Sequence, residues 1–142
     1  MRLEIRRADG RAEMDALLDL RHRVFCIEQS VPKREEIDGR DGDAIHLVAL
    51  RDGRVLGTCR LLLVDRTVQL SRLAVEPEAR REGIATALLH EADREAAASR
   101  AKRIVLHAQT YARELYTAEG YEPRGRTFVE AGIEHIAMEK RL

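Results

Sequence analysis

The sequence lacks the features that mark several protein classes. Its two cysteines, Cys26 and Cys59, lie far apart and form no C-x-x-C pair. A zinc site or a thioredoxin-type redox centre is therefore without its ligands, and both residues read as reduced thiols in or near a core. No charge of one sign is in excess, because 25 Lys and Arg balance 25 Asp and Glu. A nucleic-acid binder ordinarily carries a basic surplus, so no nucleic-acid partner is expected. No apolar run approaches the roughly 18 residues needed to span a bilayer. The opening MRLEIRRADG has no apolar signal core, so a cytoplasmic protein with no membrane partner is expected. G-x-x-x-x-G-K-[ST] and G-x-G-x-x-G are both missing; a nucleoside triphosphatase or dinucleotide dehydrogenase would lack its main part. Repeats, low-complexity tracts and linkers are absent as well.

What is present suits one folded domain. The chain has 142 residues, of which 44% are hydrophobic and 35% charged, enough for a single core without staples. LEIRR reads as an opening strand, and Met14, Leu17, Leu18, Val24 and Phe25 follow helical spacing. Residues 28–43, EQSVPKREEIDGRDGD, form a long polar loop punctuated by Pro32, Gly39 and Gly42. Its charge run reads most simply as solvated, with an acidic rim that attracts cationic amines as the functional alternative. AIHLVAL (44–50), RVLGTCRLLLV (54–64) and TVQLSRLAV (67–75) make a three-stranded antiparallel meander. Its turns fall at Asp52-Gly53 and near Asp65-Arg66. Residues 83–98 are the clearest helix, RIVLHA (103–108) another strand, and YARELYTAE (111–119) a short helix with Gly120 as its C′ cap. Two strands around Ala131-Gly132 complete an α+β domain with a mixed sheet.

The stretch RREGIATALLHEA, residues 80–92, joins a strand to a helix through a small-residue turn. The first turn of a helix carries unpaired N–H groups and the positive end of the dipole. Gly83 lets a ligand approach the backbone, Ala85 keeps the second turn low, and Arg80 and Arg81 add charge. Such a turn suits a phosphate or pyrophosphate; taken alone it would equally suit an ordinary helix start.

L73-A-V75-E-P77-E-A-R80-R-E-G83-I-A85-T-A-L88-L resembles the acyl-CoA-binding motif of the GNAT superfamily of N-acyltransferases: Arg or Gln, two residues, Gly, one residue, then Gly or Ala. Arg80, Gly83 and Ala85 match it, and Arg81 stands where glycine is common. Downstream, Q109-T-Y-A112-R-E-L115-Y116-T-A-E-G120-Y121 is similar to the family's second motif, with Gln109 where Asn is common. VF-x-x-EQ at 24–29, the run from Glu36 to Leu47, Ala108-Gln109 and the run from Phe128 to Met138 resemble the ElaA-like branch. The resemblance implies a single N-acetyltransferase domain over 1–142, with a GNAT-like mixed, mostly antiparallel sheet flanked by helices. That sheet would splay between the strand ending at Val75 and the strand at 103–108. Acetyl-CoA would be the cosubstrate, with no metal. Arg80 and the amides of Arg81, Gly83, Ile84, Ala85 and Thr86 would hold its pyrophosphate. The backbone of Leu73 and Val75 would bind the pantetheine arm, and Gln109 would contact the cofactor.

The reaction implied is direct transfer of an acetyl group to a primary amine, on a small molecule or a protein, within a ternary complex. The amine must lose a proton, the developing oxyanion needs a donor, and the departing thiolate needs a proton. The family position for the oxyanion donor is the backbone N–H near Val75, and for the thiolate's acid it is Tyr116. Tyr111 and Tyr121 read as packing or surface residues. Glu28, His46 and His135 are the candidates for the base, with none singled out. His107 and Glu130 stand behind them. The late strands, 122–140, offer an edge for a homodimer. A non-catalytic acyl-CoA sensor would keep the turn but not need Tyr116, and a scaffold for partner binding would leave Gly83 and Ala85 without a reason.

Overall fold

The computed structural model describes residues 2–142. In chain order its elements are β1 (Leu3–Arg7), α1 (Gly10–Arg21), α2 (Lys33–Glu36), β2 (Ile45–Arg51), β3 (Arg54–Val64) and β4 (Thr67–Val75). They continue with α3 (Ile84–Ala98), β5 (Arg103–Gln109), α4 (Arg113–Ala118), β6 (Glu122–Glu130) and β7 (Ile133–Arg141). Three two-residue turns organise the sheet. Asp52-Gly53, Asp65-Arg66 and Ala131-Gly132 each hold both central residues at positive φ, the twist that matches a tight hairpin. They join β2 to β3, β3 to β4 and β6 to β7.

Among the described residues the strands form one sheet in the order β1-β2-β3-β4-β5-β7-β6. Every neighbouring pair is antiparallel except β4 and β5. The fold is therefore α+β with a mixed, mostly antiparallel sheet, as the sequence predicts. Strand alternation sorts β2 between two cores. Leu47 and Ala49 join the core under α3, whereas Val48 and Leu50 join the core under α1. On α3, Ile84, Leu88, Leu89, Ala92 and Ala96 are buried, a stripe along one face. Leu17 and Leu20 anchor α1 on the opposite side of the sheet.

Two details of packing place the ends of these elements. Gly57 on β3 lies directly beneath the start of α3: a Cβ there would come within 2.8 Å of Ile84 Cγ2 and 3.2 Å of Leu88 Cδ1. The missing side chain lets the first turn of α3 sit close on the sheet. At its other end α1 widens into a π-helical stretch, His22–Glu28. Gln29 caps that stretch, its N–H donating to Val24 O at 3.1 Å. The helical spacing in the sequence runs to Phe25 and the polar loop is expected from residue 28; the wider turn carries the helix through Glu28 and changes the direction in which residues 28 and 29 project.

The 28–43 segment departs from expectation. Instead of a solvated charge run it contains α2 and a short 3-10 turn, Asp41–Asp43, and its acids are tied to the body of the protein. Arg21 bonds Glu36 (2.6 Å) and Asp41 (2.9 Å). Arg60 forks onto Asp38 (2.8 Å to each oxygen) and reaches Asp41 (3.1 Å). Arg72 bonds Glu36 (3.1 Å) and Asp38 (3.4 Å). Arg21, Arg60 and Glu36 are buried, and burial of charge is tolerated because each is paired and hydrogen-bonded. Three arginines thus neutralise three carboxylates, so these acids do not form a free negative rim.

The parallel pair β4 and β5 is joined only at its beginning, where Thr67, Val68 and Gln69 face Arg103, Ile104 and Val105. Beyond that the strands part. The cause lies on β4: the β3–β4 register shifts between Thr58 and Arg60, and Arg72 adopts φ 57°. An extra residue on one strand bends it and increases its twist. Among the described residues no helix is long and apolar enough to cross a membrane.

Candidate active site

The parting of β4 from β5 opens a cleft of about 1240 Å³. Leu73, Val75, Arg80, Arg81, Gly83, Ile84, Ala85, Thr86, Gln109, Tyr116 and His135 all line it. The expected cofactor-binding residues therefore share one wall system with two of the four expected catalytic residues.

At the mouth of α3 the backbone is free. Among the described residues, none of the amides of residues 81–86 donates a hydrogen bond, and the helix has no side-chain cap. The first amide to be satisfied is that of Ala87, on Gly83 O at 3.0 Å. Gly83 stands at φ 85° with nothing within 4 Å of a Cβ position, so the glycine serves backbone conformation and leaves the approach open. Arg81 is also left-handed, at φ 65°, which gives a physical reason why glycine suits its position. Free amides converging at a helix start, with two arginines beside them, are chemically suited to a doubly charged phosphate group.

The β4 edge supplies further polar groups. Glu76 N–H donates to Leu56 O on β3 at 2.8 Å. Alternation along the strand turns the backbone groups of Val75 and Leu73 to the other side, towards the cleft. There Val75 O accepts Arg80 Nε at 3.0 Å. The Arg80 fork is spent on Glu28, at 2.7 and 2.8 Å. Gln109 at the end of β5 donates to Gln29 Oε1 at 2.9 Å.

Tyr116 on α4 is buried, its ring edge-on to Tyr121 with centroids 5.9 Å apart. Its hydroxyl makes no hydrogen bond among the described residues. Burial, with a smaller contribution from Cys59, pushes its pKa above the ordinary phenol value, so the group is fully protonated at neutral pH. Tyr121 is 2% exposed and Tyr111 78% exposed, a packing residue and a surface residue as expected.

The three base candidates are not gathered at one point. His46 on β2 is buried, outside the cleft lining, with Nε2 2.9 Å from Asp41 O. It supports the Arg21–Asp41–Arg60 network rather than the cleft. Glu28 sits at the α3 end, where its hydrogen bonds with Arg80 outweigh desolvation and hold its carboxyl below the usual range. His135 on β7 lies in the cleft, with Nδ1 2.7 Å from Ile133 O. A carbonyl only accepts, so Nδ1 carries the proton, and in the neutral ring Nε2 bears the free lone pair. Phe128 stacks on this ring with centroids 5.9 Å apart. His107 meets the Phe128 edge at 4.9 Å, and its Nδ1 lies 3.2 Å from Glu130.

A splayed mixed sheet with an unsatisfied helix start at the split is the arrangement that the GNAT resemblance implies. Residues 14–142 match the family model described as an acetyltransferase (GNAT) domain. The chain belongs to this family. It is 32% identical over 122 residues to the uncharacterized N-acetyltransferase YjcF of Bacillus subtilis, covering 85% of this chain and 87% of that protein. It is similar in structure to an acyl-CoA N-acyltransferase from Pseudomonas aeruginosa (TM-score 0.85, 30% identity, 99% of each chain). It also matches Escherichia coli ElaA (TM-score 0.88, 26% identity, 99% of this chain and 100% of that one). The resemblance to the ElaA-like branch is thus borne out along nearly the whole length.

Proposed function

We propose that this protein is an acyl-CoA-dependent N-acetyltransferase that moves an acetyl group from acetyl-CoA to a primary amine by direct transfer in a ternary complex. The observation that carries the reading is the split between β4 and β5, with free amides at one end and the buried, protonated Tyr116 along it. Acetyl-CoA, when bound, supplies the acetyl group as a thioester. The amides of residues 81–86 bind the pyrophosphate, and the cleft-facing backbone of Leu73 and Val75 aligns the pantetheine arm. The Val75 N–H is the donor for developing negative charge on the carbonyl oxygen. His135 Nε2 takes the amine proton; its tautomer is set by Ile133 O, and this favours it over the ion-paired Glu28 and the remote His46. The Tyr116 hydroxyl gives its proton to the departing sulfur. Holding amine and thioester side by side supplies up to about 7–11 kcal/mol of the acceleration.

The test has two parts. Calorimetric titration with acetyl-CoA should give saturable binding, while ATP and NAD should not compete. Tyr116→Phe should retain that binding and lose turnover by at least ten-fold in an amine-dependent assay of CoA release; the usual span for a general acid is about 10²–10⁴-fold. Unchanged turnover would remove Tyr116 as the acid. Absence of acetyl-CoA binding by the folded wild type would remove the reading altogether.

A further inference from the structure

The paired Nη fork of Arg80, the face that grips an anion with two parallel bonds, is already taken by a carboxylate. Nε donates to Val75 O at 3.0 Å, Nη1 to Glu28 at 2.7 Å and Nη2 to the same carboxylate at 2.8 Å. Val75 and Arg80 line the cleft, and Gln29, the residue after Glu28, lines it too. Gln29 accepts from Gln109 Nε2 at 2.9 Å across the split. Glu28 and Gln29 end the π-helical stretch and begin the segment that closes the opposite side of the cleft. The far part of that segment is fixed by Arg21, Arg60 and Arg72. Only its first residues therefore depend on groups assigned to the cofactor wall.

We infer that Glu28 is a positioning residue that holds Arg80 as a latch, so that the pyrophosphate of acyl-CoA must displace the carboxylate and in doing so frees the start of the 28–43 segment for the acceptor. This rests on the reading of the 81–86 turn as the pyrophosphate site. An ion pair exposed by 38% and 43% on its two sides is the right kind of contact for such exchange: it is strong enough to order two side chains and weak enough to yield to a doubly charged ligand. Binding of acyl-CoA before the amine follows from it. The carboxylate released beside the entrance would then attract the ammonium form of the acceptor.

The experiment is a double-mutant cycle read by calorimetry with acetyl-CoA. Glu28→Gln removes the charge and keeps the shape, and should tighten acetyl-CoA binding about three- to five-fold, the size expected of a half-exposed ion pair. In an Arg80→Gln background the same change should have little effect. In steady state Glu28→Gln should lower the acetyl-CoA KM while the acetyl-CoA-saturated rate changes less. An equal gain in both backgrounds would mean simple charge repulsion and would overturn the latch. So would unchanged or weaker binding, or a collapse of kcat at unaltered KM, which is the mark of a base. If the folded wild type and Glu28→Gln both fail to bind acetyl-CoA, the pyrophosphate site itself is wrong and the latch falls with it. Equal binding by the two overturns the latch alone.

Discussion

Gly57→Ala is a small change with a calculable effect at a distance from the site. The added Cβ would stand 2.8 Å from Ile84 Cγ2 and 3.2 Å from Leu88 Cδ1, and 3.4 Å from the carbonyl of Ala74. Ile84 and Leu88 are 1% and 0% exposed, so neither side chain has solvent to turn into. Overpacking of this kind costs about 1–3 kcal/mol. Restricting the unfolded chain returns about 0.4–1 kcal/mol. The net loss is therefore about 1–2 kcal/mol. For 142 residues the unfolding entropy is about 0.3 kcal/mol per degree, so the melting temperature should fall by about 3–7 °C. The strain acts on the first turn of α3, so the free amides move with it and acetyl-CoA should bind several-fold more weakly. Thermal melts and calorimetry read the two effects. Ile84→Leu removes the offending methyl and keeps the backbone amide, and in the double variant it should restore much of both. A Gly57→Ala protein with unaltered melting temperature and affinity would refute the argument that the glycine sets the height of α3.

Two further outcomes are expected. Asp38→Asn should destabilise the protein at pH 7 by about 1–3 kcal/mol, because it takes a two-pronged partner from the buried Arg60. Arg60 holds the Asp38 carboxyl well below the usual carboxylate range, outweighing its desolvation. That stabilisation is full above about pH 4, where the unfolded group is ionised, and is lost as pH falls towards the folded value. The difference in melting temperature between wild type and Asp38→Asn should narrow steadily below that pH; a constant difference down to pH 3 would contradict it. His135→Gln should lower turnover by about 10²-fold or more with acetyl-CoA affinity kept, whereas His46→Gln should lower the melting temperature and leave turnover near wild type. The reverse pattern in CoA-release assays and melts would exchange their roles.

Much of this was readable in the residues because the signals are local. Asp52-Gly53 and Ala131-Gly132 announce hairpins through dihedral preference, Gly120 ends α4 at φ 92°, and the spacing of Ile84, Leu88 and Ala92 marks one helix face. The turn at Arg80–Ala85 is legible for the same reason, since its chemistry lies in consecutive amides. What was hidden depends on pairs distant in sequence. Arg60 to Asp38, Arg72 to Glu36 and Arg80 to Glu28 have no local signature, so KREEIDGRDGD looked solvated. The split between β4 and β5 springs from an arginine at φ 57°, a residue type that gives no hint of a bulge. His46 and His135 are equivalent in a strand pattern. They differ in where the fold puts them: His135 lines the cleft and His46 lies outside it, against Asp41 O. Nothing in the sequence pairs Gln29 with Gln109; their amide contact exists because the π-helical turn carries Gln29 across the cleft.

The divergence of β4 and β5 has a consequence for handling the protein as well as for its chemistry. From Leu70 and Leu106 onwards two strand edges face each other without a ladder, inside a sheet whose other neighbours are paired along most of their length. Exposed strand edges are templates for foreign strands, and here two of them form the walls of one slot. An extended molecule with amides along its length would complete the sheet from within, as an added strand does. Acyl-CoA in the slot would therefore act as a folding partner that suppresses self-association. A preparation stripped of it would be the one to watch for aggregation on storage.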